Sequence, residues 1–390
     1  MSLLAELQTE LTALRDNDRL AEFNAVQSRS GARIAYKGRT LVDFSNWDYL
    51  GLATDPKLCK AHYREVEESG ISHGAARLSS GTTQAHLRAE KRIAQFLGSE
   101  AACFFSSKNQ AVLSIVSALV REQDVVVFDQ TVQSPIADAA HVVNAAVVTH
   151  DLGDTERLGR ELGKLNSYAR KFLFIESLSP VTATEVDLTT LHALCVKHAV
   201  ELVVDESYAL AALGQRGAGG SERLGPKNKA FCSYSSMSYG LASYGAFVAG
   251  SRLLVDYLIN CSSTFRREPA LPSAYAAVLT AAIDQIELAP ALREQIGMFA
   301  LRLREGLYQM SLVKNAQFSA LPIVTVWLAS KRKADQFVTA LFEKGFLAES
   351  IAPGLVGREA GVVRFLINRH HSDEDIDELL AAISDVRGRV

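Results

Sequence analysis

Residues 171–205 read KFLFIESLSPVTATEVDLTTLHALCVKHAVELVVD, and this stretch decides the fold. Short apolar runs over 171–175 and 201–205 predict buried strands, and the apolar spacing over 188–198 predicts a helix between them. The same alternation extends upstream and predicts strands over 124–128 and 146–149 and helices over 86–97, 109–120 and 136–143. This pattern indicates an α/β protein whose mostly parallel sheet is covered by helices on both faces. In such a sheet we expect the functional residues at the carboxyl ends of the strands.

The rest of the chain predicts two smaller units around this sheet. Residues 1–45 are predicted to form an N-terminal helix and hairpin arm, residues 46–285 the large domain, and residues 286–390 a small α+β domain. Within these units the patterns predict a hairpin over 33–44, a long helical segment over 273–307, strands over 323–328 and 362–366, and helices over 331–344 and 372–386. The amphipathic helix of the arm is predicted from its leucines, Leu3, Leu4, Leu7, Leu11 and Leu14.

Composition excludes several classes of function. The 390 residues are 48% hydrophobic and carry a formal charge of −3, so the chain can bury a large core and lacks the basic surface that nucleic-acid binding requires. No apolar run approaches the ~18 residues of a membrane span, and no signal peptide is recognisable. Five scattered cysteines, an odd number, argue against a disulfide framework. We therefore expect a cytoplasmic protein with buried thiols, no membrane span and no metal site.

Several short motifs, taken in order, resemble those of the α-oxoamine synthase family. These are the pyridoxal phosphate (PLP) enzymes that condense an amino acid with an acyl-CoA and release carbon dioxide. The resemblance implies a fold-type I PLP-transferase-like fold with a seven-stranded, mostly parallel sheet, and it covers nearly the whole chain. The matching motifs are Tyr49-Leu50-Gly51-Leu52, Arg77 to Thr82 with His86, Phe105-Ser106-Ser107, Val204-Asp205-Glu206, Phe247 to Gly250, and Arg364 with His371-Ser372.

The segment SMSYGLASYGAFVAG over 236–250 departs from the family at its most important position. Tyr239 stands where the family has the lysine that forms a Schiff base with PLP. A lysine amine holds the cofactor aldehyde and shuttles protons, and a phenol does neither in the same way. The segment also resembles that of the non-catalytic subunit of serine palmitoyltransferase, which likewise lacks the lysine. We expect PLP binding to be impaired and no covalent PLP–lysine bond to form.

Other positions that the resemblance assigns to the cofactor or substrate are altered as well. Asp205 is retained where the family pairs an aspartate with the cofactor ring nitrogen, although a capping or local pairing role is equally compatible with the sequence. The remaining positions assigned to the cofactor are Ser107, Lys108, Asn109, Gln133, Tyr208, Ser236, Ser238 and Thr264. Those assigned to the substrate are Asp48, His86 and Arg364.

Individual residues allow simpler interpretations. Lys108 replaces a family glycine, and we favour a solvated surface cation over a phosphate clamp. Gln133 and Tyr208 each replace a family histidine, and Asp48 would repel a substrate carboxylate. For Tyr239 a packing role is favoured over a new catalytic one, and His86 is compatible with a structural role.

Three functions follow from the resemblance. The favoured hypothesis is a catalytically silent subunit, either homodimeric or paired with an active paralogue to which Thr264, Arg266 or Arg267 would contribute. The first alternative is an active acyl-CoA-dependent transferase that binds PLP non-covalently. The second is a protein that binds an acyl-CoA, a ligand linked to an acyl carrier, or a phosphate compound in the emptied cofactor pocket.

Overall fold

The computed structural model describes residues 2–16, 20, 23–129, 135–151, 153–225, 228–313, 319–352 and 360–389. Its strands are β1 (Val26–Ser30), β2 (Arg33–Tyr36), β3 (Arg39–Asp43), β4 (Ala101–Phe105), β5 (Val125–Asp129), β6 (Ala146–His150), β7 (Lys171–Glu176), β8 (Val200–Asp205), β9 (Cys232–Ser236), β10 (Ala246–Gly250), β11 (Ile323–Leu328), β12 (Phe346–Leu347), β13 (Glu349–Ile351) and β14 (Gly361–Leu366). Its α-helices are α1 (Leu3–Asp16), α2 (Pro56–Ser69), α3 (Gln84–Leu97), α4 (Lys108–Leu119), α5 (Pro135–Val142), α6 (Thr155–Lys164), α7 (Leu188–His198), α8 (Arg252–Cys261), α9 (Ser263–Arg267), α10 (Ser273–Glu287), α11 (Pro290–Gln309), α12 (Lys331–Glu343) and α13 (Asp373–Val386).

A seven-stranded sheet in the order β4-β10-β9-β8-β7-β5-β6 forms the centre of the molecule. Strand β10 runs antiparallel to both of its neighbours, while the pairs from β9 to β6 are parallel. Because the strands are almost continuously apolar, both faces of the sheet are buried under helices. The predicted α/β fold with a mostly parallel sheet is thereby confirmed. The carboxyl ends of β7, β8 and β9 lie side by side, which brings the residues that follow them together.

A smaller three-stranded antiparallel sheet, β11-β14-β13, belongs to the C-terminal part of the chain. The predicted arm is attached to this part, because β3 pairs with β12 in a second sheet of the order β1-β2-β3-β12. The ring of Phe44 also stacks on His371, with ring centroids 4.1 Å apart. The limits 1–45, 46–285 and 286–390 stay a prediction, but the first and last of these segments share a sheet.

The prediction of one helical segment over 273–307 was wrong. The structure has two helices there, α10 and α11, and the second begins at Pro290. Proline is favoured in the first turn of a helix and lacks the N–H that a continuous helix would need. The break lets α10 pack on α2 and α3 while α11 packs on α13.

The described part of the chain contains no helix that is both long and apolar enough to cross a membrane. The five cysteines are free thiols; Cys103, Cys195 and Cys232 are buried, whereas Cys261 is exposed at the end of α8. The expectation that all five are buried was therefore wrong for Cys261.

Candidate active site

Asp205, the last residue of β8, is the centre of the candidate site. Its buried carboxylate accepts hydrogen bonds from the backbone N–H of Ser207 at 2.8 Å and from the Ser207 hydroxyl. The Lys108 ammonium lies 3.2 Å from Oδ2. Burial, followed by the charge of Asp205, raises the pKa of the nearby Tyr234 hydroxyl. A carboxylate offers roughly four acceptor positions. Ser207 and Lys108 therefore already occupy most of the acceptor positions of this carboxylate.

Lys108 is directed into the site rather than into solvent. It is the first residue of α4, and its side chain is 19% exposed. Burial has the largest single effect and lowers the pKa of the amine. The charge of Asp205, together with smaller contributions from Tyr208, Glu176 and the hydrogen bond to Asp205, outweighs burial and raises that pKa above its ordinary value. The amine is therefore a permanent ammonium, which cannot act as a nucleophile. The interpretation of Lys108 as a solvated surface cation was wrong, because the buried carboxylate attracts the amine across the end of the sheet.

Three aromatic rings pack against one another beside this ion pair. Tyr208 and Tyr239 stack with centroids 5.2 Å apart and an interplanar angle of 18°. The ring of Trp47 lies 4.7 Å from Tyr208 and 5.4 Å from Tyr239. Lys108 Nζ lies 5.2 Å from the centre of the Tyr208 ring, close enough for a cation–π interaction. Tyr239 thus packs within an aromatic cluster.

Arg364, on β14, packs against the Trp47 ring of this cluster. Its guanidinium carbon lies 4.5 Å from the centre of the Trp47 ring. Nη2 and Nε donate to Oε2 of Glu349 at 2.6 and 3.1 Å, and Nη1 donates to the carbonyl of Pro180 at 3.1 Å. All these hydrogen bonds are to other groups of the same chain, and the Glu349 carboxylate neutralises the charge of the guanidinium.

Glu176 is a site residue that the sequence reasoning missed. It ends β7 directly beside Asp205 in the sheet register. Burial raises the pKa of its carboxyl to about 8, and the charge of Asp205 adds to this increase while that of Lys108 opposes it. Among the described residues, its buried Oε2 has no hydrogen-bond partner. The signal was present in the sequence, because two neighbouring parallel strands each end in a carboxylate.

Two residues assigned to the substrate have structural partners instead. Asp48 accepts the backbone N–H groups of Leu52 and Ala53 at 2.7 and 2.9 Å and so caps a short turn. His86 Nδ1 accepts the N–H of Thr83 at 3.1 Å, while Nε2 contacts the carbonyl of Leu271 at 2.6 Å. Burial, followed by the charge of Arg77, lowers the pKa of His86 to about 4, so the ring is neutral at neutral pH.

The remaining predicted positions lie at the rim or elsewhere. Ser107 caps α4 by accepting the N–H of Gln110 at 3.2 Å, and Asn109 is exposed. The N–H of Ser238 donates to the Ser236 hydroxyl at 3.2 Å. Thr264 lies 2.9 Å from the hydroxyl of Ser262, and Gln133 is outside the described residues. The described residues include no group of His, Cys, Asp or Glu side chains that could hold a metal ion.

Comparison with known proteins identifies the family. The model of the aminotransferase class I and II family matches residues 39–383. The 8-amino-7-oxononanoate synthase of Geotalea daltonii is 30% identical over 97% of this chain and 96% of its own length. That of Saccharophagus degradans is 28% identical over 100% of this chain and 98% of its own. The chain belongs to the aminotransferase class I and II family. Within this family, its relatives make it a member of the α-oxoamine synthases.

Solved structures share the fold of this α-oxoamine synthase-family chain. A serine palmitoyltransferase from S. paucimobilis with a bound PLP–myriocin aldimine superposes with a TM-score of 0.91. It is 22% identical, and the match covers 100% of this chain and 99% of the other. The serine palmitoyltransferase of Sphingomonas wittichii gives a TM-score of 0.91 at 23% identity, over the same shares of the two chains. At these identities the likeness establishes the shared fold.

Four features of the site bear on whether this α-oxoamine synthase-family chain could hold PLP. No lysine occurs between Ser236 and Gly250, and Asp205 already accepts hydrogen bonds from Ser207 and Lys108. The cavity beside Asp205 and Glu176 has a volume of about 60 Å³, whereas small-molecule sites typically span ~300 Å³ or more. At the start of α4, a usual place for a phosphate, the N–H groups of Ser106 and Gln110 already donate to side chains of the chain, at 2.9 and 3.2 Å.

Proposed function

We propose that this chain is a catalytically silent member of the α-oxoamine synthase family, which supports a second chain rather than carrying out the condensation itself. The observation that carries the proposal is the 3.2 Å ion pair between Lys108 and Asp205. It places a fixed internal cation on the carboxylate that the family resemblance assigns to the cofactor ring. A ligand cation would have to compete with this ammonium and with the two Ser207 donors.

The second observation in support is that the side chains near the site offer no amine that could form a covalent bond with PLP. Position 239 is a tyrosine, and the amine nearest to the site, that of Lys108, is held protonated by Asp205. Schiff-base formation requires a neutral amine that can attack an aldehyde. Neither side chain offers one.

The substrate side of the site supports the same conclusion. Arg364, one of the residues assigned to the substrate, already binds the carboxylate of Glu349. A substrate would need to break this charge-assisted bond and the cation–π contact with Trp47. The cavity of about 60 Å³ is also too small for an acyl-CoA, so the structure does not favour a ligand-binding function at this position.

A supporting role requires a surface that another chain can cover. Large apolar side chains that are exposed include Tyr63, Ile71, Leu78, Leu87 and Tyr244. The rings of Tyr63, His62, Tyr275 and Tyr244 are in contact in this order, with successive centroids 5.5 to 6.0 Å apart, and the rings at the two ends are exposed. Exposed apolar patches of this kind mark protein–protein contact sites. The partner that we propose is a second copy of this chain or an active paralogue.

The test is incubation of the purified protein with PLP, followed by desalting, absorption spectroscopy, borohydride reduction and peptide mass analysis. An active 8-amino-7-oxononanoate synthase, treated in parallel, provides the positive control. We expect the control to retain PLP on a lysine and this chain to retain none. A reduced PLP–lysine adduct, or release of carbon dioxide from an amino acid and acyl-CoA above a protein-free control containing PLP, would overturn the proposal.

Light scattering after size-exclusion chromatography tests the supporting role separately. We expect a dimer, either of this chain alone or with a co-expressed paralogue. A monomer under both conditions would contradict the role while leaving the prediction of catalytic silence intact.

A further inference from the structure

The side chains at the candidate site form one continuous stack with a cation at each end. The order is Arg364, Trp47, the pair Tyr208 and Tyr239, and Lys108, and we call this set the clasp. Neighbouring members are 4.5 to 5.4 Å apart. A carboxylate neutralises each terminal cation, because Glu349 pairs with Arg364 and Asp205 pairs with Lys108.

The clasp joins two parts of the molecule that have separate sheets. Arg364 and Glu349 lie on β14 and β13 of the three-stranded sheet, whereas Lys108 begins α4 and Tyr208 and Tyr239 follow strands of the seven-stranded sheet. Trp47 lies in the segment between β3 and the large sheet and packs against the hydrophobic core that the two parts share, so its ring contacts side chains of both parts. The bond from Arg364 to the Pro180 carbonyl also crosses this boundary.

The contacts at the boundary are of kinds that strengthen when water is excluded. Arg364 is buried, with 9% of its surface exposed, and cation–π and charge-assisted hydrogen bonds are stronger when desolvated. Two-unit proteins that close around a ligand commonly open when the ligand leaves, because the ligand supplies the contacts across the cleft. In this chain, side chains already provide those contacts.

We propose that the clasp holds the small C-terminal unit closed against the large sheet without any ligand, so that closure is a built-in property of the fold. A ligand can shift such an equilibrium only through a difference in its affinity for the two states. With the cleft closed by the chain itself, ligands are not needed to fix the relative position of the two units. The inference concerns conformation, and it stands whether or not the proposed silent role is correct.

Trp47 provides a direct probe, because the chain has only two tryptophans, Trp47 and Trp327. In a Trp327→Phe background, acrylamide quenching of fluorescence reports the accessibility of Trp47 alone. We expect weak quenching in this background. Adding Arg364→Met should raise the quenching constant severalfold, since removing a desolvated cation–π contact shifts an opening equilibrium by about tenfold or more.

Arg302→Met is the matched control. Arg302 belongs to the same C-terminal part, but its ion pairs are with Asp373 and Asp377 on the surface and do not reach the large sheet. We expect this variant to leave the Trp47 quenching constant unchanged. Circular dichroism on each variant verifies that the protein is folded.

An Arg364→Met protein that is folded and quenched no more than the control overturns the proposal. If Arg364→Met does not fold, Glu349→Gln replaces it. This substitution keeps the arginine but removes its neutralising carboxylate, and an unchanged quenching constant there would likewise overturn the proposal. No PLP or substrate enters these measurements, so their outcome is independent of the test for catalytic silence.

Discussion

Replacing Lys108 by methionine is expected to destabilise the protein because it leaves a buried carboxylate without its cation. At the observed 3.2 Å separation, Coulomb attraction at an effective dielectric constant of about 20 is ~5 kcal/mol. The substitution recovers the desolvation cost of the ammonium and the entropy of the lysine side chain. Asp205 also keeps its hydrogen bonds from Ser207. Loss of one partner of a buried pair typically costs ~3–5 kcal/mol. We therefore expect the free energy of unfolding to fall by ~3 kcal/mol.

Urea unfolding at pH 7, followed by tryptophan fluorescence and circular dichroism, measures this change. Lys164→Met is the matched control, because Lys164 pairs with Glu161 on the exposed surface of α6, and its removal should leave the unfolding midpoint unchanged. The double variant Lys108→Met/Asp205→Asn removes the unpaired charge as well. It should be more stable than Lys108→Met alone by at least ~1 kcal/mol. A single Lys108→Met variant as stable as the parent protein would refute the reasoning, since it would show that Asp205 needs no cation.

Three further predictions concern single residues. Glu176 has a pKa of about 8 in the folded state, above its ordinary value of 4.5, so the folded state binds the proton more tightly than the unfolded state does. The free energy of unfolding of the parent protein should therefore fall as pH rises from about 5 to 8, by up to ~1.4 kcal/mol per pH unit. Glu176→Gln should remove this fall, and parallel pH–stability curves for the two proteins would contradict the assignment. Tyr239→Lys alone should not restore PLP retention after desalting, because Lys108 still occupies the carboxylate of Asp205; a retained PLP–lysine adduct would show that the rest of the pocket is competent. His86→Ala should lower the free energy of unfolding by ~1–3 kcal/mol, since it leaves the buried carbonyl of Leu271 without a donor, and unfolding of the variant at the parent midpoint would argue against this structural role.

The sequence predicted the central sheet well because each strand and helix shows its own local pattern of apolar residues. Each strand of a parallel sheet buried on both faces must be apolar along its length, as in residues 171–175, and the helices between strands are long enough to show their own period. The break between α10 and α11 was missed because the apolar pattern continues through it. In the sequence the break is marked only by Pro290, because proline is favoured in the first turn of a new helix.

The candidate site was less predictable because its contacts join distant parts of the chain. A lysine in the first turn of a helix is usually solvated, and nothing near position 108 in the sequence shows that a carboxylate almost a hundred residues later attracts the amine. The pairing of Arg364 with Glu349 depends in the same way on the register of β13 and β14. The proximity of Glu176 to Asp205 was accessible in principle, since both residues end adjacent parallel strands.

The sheet that joins β3 to β12 has a consequence for how the chain is made. Val42 pairs with Phe346, and Arg33 forms an ion pair with Asp375 at 2.8 Å, so the hairpin near the start of the chain finds its partners only after almost all residues have been synthesised. Contacts between residues so far apart in sequence form slowly, because a long loop must close first. During synthesis on the ribosome, the central sheet can assemble before β12 is available to pair with the hairpin. A chain truncated before residue 346 would leave the free edge of β3 unpaired and prone to aggregation.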